Sequence, residues 1–470
     1  MTSPRGDRLL TPLMLGVASG SILVPLNSTM LAVALPGVMD EFHLGAAAVS
    51  SLVTLYLGAV AVALPVSGSL GDRFGHRRTF LAGVVVFGLA SLLAVGASSF
   101  ALLQLARVGQ AVSGAFVSTS SAALVRIAAP PRRRGEAFGL FDLLTSTSAA
   151  AGPFIGGVLV GAFGWRSLFV VAVPVALLAA LAVGYWLRPQ AASAIVAEAP
   201  PPASGAHPAI RRPPLDVVGL ALLAAWIVAI LIALHGDTGL IGLIAAVAIL
   251  PLAAILVWFE LGRPMPAVDP RLFRIPAFSS AVAGIFGNTV VLHACFILVP
   301  MLVERLLGGS ATTSGIVLLG VSGVGALVAP FGGRISDRRG RRALVAAGAL
   351  VMTAGLAGLA FPAGSNSFIA VGILLAVVGL GMGLSGSPRQ AAAFEAIQPE
   401  RVGMAAGTYY TGRYLGGVVG ASLAGAVLAG GITAGAVSFG FAILVVVGLG
   451  VTLASRWLPN KAVSTALAGP

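Results

Sequence analysis

The chain has 470 residues, 58% of them hydrophobic and 9% charged, with a mean hydropathy of +1.01. So little charge cannot cover a soluble protein of this length, so an all-α integral membrane protein is expected. The net charge of +13 does not point to nucleic acid, because the 28 basic residues, all arginine except Lys461, sit in short clusters between apolar runs.

In chain order, the first six apolar runs fall at about 12–36, 46–70, 79–99, 101–128, 137–162 and 166–187, each long enough to cross the hydrocarbon core as a helix. Arg5 and Arg8 precede the first run and no Ala-x-Ala pattern follows, so a retained helix is expected rather than a cleaved leader. From Arg188 to Pro214 the chain is rich in Pro and Ala, which suits a flexible cytoplasmic linker. Two more runs follow at about 215–235 and 239–259, then a Pro-rich segment to Pro276. The last six lie at about 277–301, 311–332, 343–362, 366–386, 401–429 and 433–457, for a total of about fourteen spans. Cys295 lies within one of them; as the single cysteine it forms no disulfide within the chain and suits a small packing residue.

Loop charges agree with this count. With both termini in the cytoplasm, the inner segments hold Arg73, Arg77, Arg78, Arg126, Arg132 to Arg134, Arg188, Arg211, Arg212, Arg263, Arg271, Arg274, Arg334 to Arg342, Arg389, Arg401, Arg456 and Lys461. The outer loops hold Arg166 and Arg305. A miscounted span would destroy this asymmetry.

An internal repeat divides the chain. Gly68-Ser-Leu-Gly-Asp-Arg-Phe-Gly-His-Arg-Arg-Thr79 follows the second run, and Gly332-Gly-Arg-Ile-Ser-Asp-Arg-Arg-Gly-Arg-Arg-Ala343 follows the tenth. The shared spacing implies two six-helix bundles related by duplication, with the two middle spans outside the repeat. The expected units are an N-terminal bundle over 1–187, the linker over 188–214, two inserted spans over 215–276, and a C-terminal bundle with a short tail over 277–470.

The first of these segments resembles the signature loop of the major facilitator superfamily, with His76 where a basic residue is common. Gly68 and Gly75 suit close helix approach and a sharp turn. The resemblance implies a conformational latch built from Asp72, Arg73, Arg77 and Arg78, and from Asp337, Arg338 and Arg341 in the repeat. Gly152-Pro153-Phe-Ile-Gly156-Gly157 is similar to the antiporter motif of the drug:proton antiporter branches, where small residues pack helices closely and proline bends them. Ser148 replaces a usual glycine upstream. Gly164-Trp165-Arg166-Ser-Leu-Phe169 and Leu35-Pro36 resemble stretches of the fourteen-span branch.

Arg107, in Arg-Val-Gly-Gln110, resembles the arginine motif of the fourth span, which the family links to proton movement. Such a residue faces a cavity or a partner, and Gln110 shares its face. The chain departs from its relatives in the first span, where Asn27 and Ala32 replace a usual aspartate and asparagine. An asparagine does not titrate near neutral pH. The remaining candidates for proton coupling are Asp142, His293 and Glu304. In the thirteenth span Arg413 is accompanied by Tyr409, Tyr410 and Tyr414. With Asn27, Thr29, Arg107 and Gln110, these form a neutral-to-positive candidate cavity, suited to neutral or anionic amphipathic substrates.

The sequence holds no Walker-type phosphate loop, metal-ligand cluster or nucleophile triad, so no catalysis, cofactor or metal is expected. A monomeric, proton-coupled exporter of small amphipathic compounds is the leading expectation, with the small-molecule substrate, protons and the bilayer as partners. A proton-independent facilitator or exchanger, and a non-transporting lipid-handling or receptor protein on the same fold, are the alternatives.

Overall fold

A computed structural model describes residues 12–128, 134–186, 216–234, 239–263, 266, 268–361, 366–398 and 402–460. The expected linker lies outside the described residues, as do the side chains of Asp72, Asp142, Asp337 and Arg338. Among the described residues, thirteen helices are long and apolar enough to cross a membrane. Val402–Val427, with 26 residues, packs among them and brings the total to fourteen; it is the thirteenth in chain order.

The first span is Pro12–Met30, a 3₁₀ stretch Leu31–Ala34 and Leu35–Phe42. The next five are Ala46–Phe74, His76–Val95, Phe100–Ala128, Arg134–Phe163 and Ser167–Trp186. Val217–Leu234 and Gly239–Leu261 are the seventh and eighth. The ninth is Pro276–Pro300 with a π-helical end Met301–Leu306. Ala311–Arg339, Arg341–Ala360, Phe368–Glu395, Val402–Val427 and Ala434–Ala454 complete the set.

Several helices outrun their apolar segments. The second reaches Phe74, the tenth Arg339 and the twelfth Glu395, because backbone hydrogen bonds continue into water while hydropathy marks only the lipid-facing part. The first continues beyond Pro36, which occupies the first turn of Leu35–Phe42 where its missing N–H costs nothing.

The fold is two six-helix bundles plus two middle spans. In the N-terminal half the first span packs on the fifth and sixth, and the fourth on the second and third. In the C-terminal half the twelfth packs on the tenth and eleventh, and the ninth on the thirteenth and fourteenth. The halves meet where the fifth span packs on the tenth and the second on the thirteenth. The seventh packs on the eighth and on both members of that second pair.

The repeated motif makes the same junction twice. Gly75 (φ 91°) and Gly340 (φ 94°) each join two helices at positive φ, a conformation that glycine adopts without steric penalty. Beside them, Arg77 Nη2 donates to the Gly184 carbonyl at 3.0 Å, and Arg342 Nε to the Leu458 carbonyl at 2.8 Å. Each arginine ties the start of the third helix of its half to the end of the sixth, where a cation also suits the exposed carbonyls. At Gly68, among the described residues, no other part of the chain lies within 4 Å of where its Cβ would be.

Alanine at either junction glycine is expected to cost about 1–3 kcal/mol in backbone strain. Gly340→Ala should cost more than Gly75→Ala, because its Cβ would meet the Asn460 carbonyl oxygen at 2.9 Å while Gly75 faces open space. Thermal unfolding of the two purified variants in detergent measures the difference.

Candidate functional site

A cavity of about 490 Å³ lies between the halves. The first, second, fourth and fifth spans line one side, and the ninth, tenth, twelfth and thirteenth the other. Ser21, Ser28, Thr29, Ser118, Thr145, Ser146 and Ser322 contribute hydroxyls, and Phe141, Leu292, Phe296, Val321 and Met382 apolar surface. Tyr56, His293 and Tyr414 add polar aromatic groups. Arg413 is the one arginine among the described lining residues, which include no carboxylate, and it is exposed. The lining runs from Thr29 and Leu57 toward Phe141 and Ala329, on the side of the Gly75 and Gly340 junctions (hereafter the arginine end).

At the opposite, far end, polar contacts join the halves. Arg305 Nη2 donates to Asp40 Oδ1 at 2.6 Å and to the Pro36 carbonyl at 2.8 Å. Thr312 Oγ1 donates to the Gly157 carbonyl at 3.1 Å, and deeper, at the cavity wall, Ser322 Oγ donates to that of Ala150 at 2.8 Å. Small residues allow this approach. A Cβ on Gly157 would lie 2.5 Å from the Ala311 oxygen and 3.1 Å from Gly315 Cα, and one on Gly156 would lie 2.9 Å from the Met30 oxygen. Gly152 leaves room for Thr29, and Pro153 lies inside the same helix.

Beneath the cavity wall lies a polar cluster. Arg107, 1% exposed, donates through Nη1 to Asn27 Oδ1 at 2.5 Å and to Gln110 Oε1 at 2.9 Å. Gln110 Nε2 donates in turn to Ser91 Oγ at 2.8 Å. The guanidinium stacks on the Tyr56 ring, 4.2 Å from its centroid, and Tyr56 also faces the cavity. Neutral oxygens and an aromatic face therefore surround this charge in the positions described.

The other candidates divide by location. Thr29, His293, Arg413 and Tyr414 line the cavity. Nδ1 of His293 lies 3.0 Å from the Thr289 carbonyl, so that nitrogen carries the proton. Glu304 accepts a hydrogen bond from Ser314 at 2.8 Å at the far end, away from the cavity. Tyr409 and Tyr410 lie off the cavity: Tyr409 is buried in a small cluster with Phe278 and Ala393, and Tyr410 Oη accepts from Gln390 at 3.3 Å. Among the latch residues, Arg73 and Arg78 are exposed. Arg341 forms a two-armed ion pair with Glu395, at 2.6 and 2.7 Å, within its own half. Asp142 lies on the fifth span beside the lining residue Phe141, but its side chain lies outside the described residues.

Sequence reading missed Tyr56, Arg342, the Arg305–Asp40 pair and Arg389. The last counts as a loop charge if the twelfth span stops at 386, yet the helix carries Pro388 inside it and ends at Glu395. Arg389 is therefore buried within the helix, 1% exposed.

The family model of the Major Facilitator Superfamily matches residues 17–296 and 278–468. The chain belongs to the major facilitator superfamily. It is 33% identical over 411 residues to an uncharacterized MFS-type transporter, YwoD, of Bacillus subtilis, covering 86% of this chain and 87% of that one. It is 31% identical over 424 residues to the tetracenomycin C resistance and export protein of Streptomyces glaucescens, covering 87% and 74%. With the multidrug resistance protein Stp of Mycobacterium tuberculosis it shares 30% over 422 residues, covering 88% and 74%. A crystal structure of a bacterial homolog to the human lysosomal transporter Spinster superposes with a TM-score of 0.67 at 16% identity, over 95% of this chain and 97% of that one. The protein is thus a multi-span membrane transporter of the major facilitator fold.

In this transporter, Asn27→Ala is expected to cost about 2 kcal/mol, the worth of a hydrogen bond to a charged group. Asn27→Asp retains an acceptor at the same place and should melt no lower than the natural chain. Thermal unfolding of both variants in one detergent makes the comparison.

Proposed function

We propose that the protein is a secondary transporter that exports small neutral or anionic amphipathic compounds by alternating access. The observation that carries this reading is the cavity between the halves, apolar and hydroxyl-lined, with Arg413 exposed in it and no carboxylate among its described residues. Such a site matches an apolar body to its walls and a polar or anionic head to Arg413. Net positive charge around the cavity disfavours a permanent cation.

The arginine end is assigned to the cytoplasm from the excess of arginine in its loops. Substrate then enters the cavity from inside. Rocking of the halves parts the contacts at the far end and closes the arginine end. A relative that resembles this chain along most of its length is named for resistance and export, which favours outward transport.

For energetics the first reading is proton coupling, with His293 in the cavity wall and Asp142 on the fifth span as proton carriers. A proton-independent carrier is the second reading. It is favoured by Asn27, which occupies the partner position of Arg107 without a titratable group. Internal pH in proteoliposomes after a substrate pulse tests both. Under the first reading, substrate drives proton flux that Asp142→Asn or His293→Gln reduces severalfold while binding persists. Substrate flux without proton movement in the natural chain sinks coupling and leaves the second reading.

The closed far end provides a further prediction. Gly157→Val puts a branched side chain against the backbone of the tenth span and should shift the population toward separation at that end. Spin labels at the far ends of the first and ninth spans should report longer distances than in the natural sequence.

A further inference from the structure

The cavity gives Arg413 a place but leaves Arg389 unexplained. Arg389 is buried against Gly284 of the ninth span, where a Cβ would collide with its Nε, Cδ and Cζ. Among the described residues, its Nη1 and Nη2 have no hydrogen-bond partner, nor has Oδ1 of Asn288, which is 4% exposed. Asn288 lies one turn beyond Gly284 on the same helix, so the two share a face. In the N-terminal half an arginine of the fourth helix is bonded to an asparagine of the first, Arg107 to Asn27. In the C-terminal half the fourth and first helices carry Arg389 and Asn288 with donors and acceptor both unmet. An uncompensated guanidinium at this depth is costly, and an anion is the ligand that relieves it.

The position suits passage to the cavity. Arg389 lies six residues before the end of the twelfth span, about 9 Å from the arginine end. Arg413 lies eleven residues into the thirteenth, roughly 17 Å from the same end. Tyr409 is close enough to both arginines to interact with each electrostatically. Its ring is edge-on to Phe394 and Tyr410, with centroids 5.5 and 5.7 Å away.

We infer that Arg389, buried against Gly284 with its terminal nitrogens unmet and Asn288 one turn away, is a second binding station for the anionic head of a substrate, ahead of Arg413 on the path from the arginine end. The ligand class is an amphipathic compound with one sulfonate, carboxylate or phosphate group. The inference rests on the reading of the cavity as a site for neutral or anionic amphipaths.

Two probes that differ by one charge test it: anilinonaphthalene sulfonate and its uncharged parent phenylnaphthylamine, in equilibrium dialysis against the full chain in nanodiscs. The natural chain should prefer the sulfonate. Arg389→Met should weaken sulfonate binding by about tenfold or more, the worth of a charge-assisted hydrogen bond, and leave phenylnaphthylamine binding unchanged. Arg389→Lys should recover most of the loss. If Arg389→Met does not fold, Gly284→Ala, which displaces the guanidinium and keeps its charge, should give the same selective loss. Natural sulfonate affinity in whichever of these variants folds, with a loss in Arg413→Met, overturns the Arg389 station and leaves the cavity reading intact. An equal loss for both probes that lysine does not rescue assigns Arg389 a structural role and also overturns it. Preference of the natural chain for the cation ethidium over both probes overturns the cavity reading itself.

Discussion

A guanidinium inside a membrane has to be met by an acceptor, a counter-charge or water, and the way Arg107 is met shapes the N-terminal half. Asn27 and Gln110 supply amide oxygens, Ser91 holds Gln110, and Tyr56 covers the cation with its ring. These groups come from the first, second, third and fourth spans, so one charge fastens four helices around a shared point. Its partners being neutral, the charge is dispersed but not cancelled. The cavity on the other face of Tyr56 therefore lies in a positive field to which Arg413 adds from the opposite half. In the proposed function, the preference for neutral or anionic substrates rests on that unbalanced pair as much as on the shape of the walls.

The two ends of the molecule are held by different kinds of contact. At the arginine end, Arg77, Arg341 and Arg342 bind the carbonyls and carboxylate of their own halves and make each bundle rigid. At the far end Arg305 and Thr312, and at the cavity wall Ser322, bind across the interface, and the backbones touch at Gly157 and Gly315. The cross-half bonds are few and include an exposed ion pair, which contributes little in water. Rigid units joined by a contact of modest strength are what rocking between two states requires. Among the described side chains of the repeated motif, the arginine bonds run within each half in this conformation.

Much of this was legible in the sequence because bilayer thickness fixes helix length and loop charge fixes parity. Thr29, Arg413 and Tyr414, expected together from the sequence, share the lining, which His293, expected only as a titrating group, joins. The spans and the repeat follow from those rules. Arg389 did not, because Ser385-Gly-Ser-Pro388 has the composition of a helix end, whereas the neighbouring helices let the backbone continue through the proline. Tyr409 and Tyr410 show the complementary limit. Their spacing from Arg413 puts them on the same helix, but the angle about that helix, set by contact with the ninth span through Gly412 and Gly416, turns them into a side cluster. Polar pairs such as Arg305 with Asp40, separated by 265 positions, carry no local signal at all.

The two inserted spans have a mechanical consequence that follows from their contacts. The seventh packs on the second and the thirteenth, one from each half, and Leu231 fills the space left by Gly58, where a Cβ would lie 2.7 Å from its Cδ1. Neither inserted span is among the described residues that line the cavity, and the eighth presents most of its length outward. Rocking that parts the second span from the thirteenth has to slide the seventh over one of them. Packed side chains resist such motion in discrete steps rather than continuously. In the proposed rocking cycle, the inserted pair would act on the balance between the two states, while the cavity faces other residues.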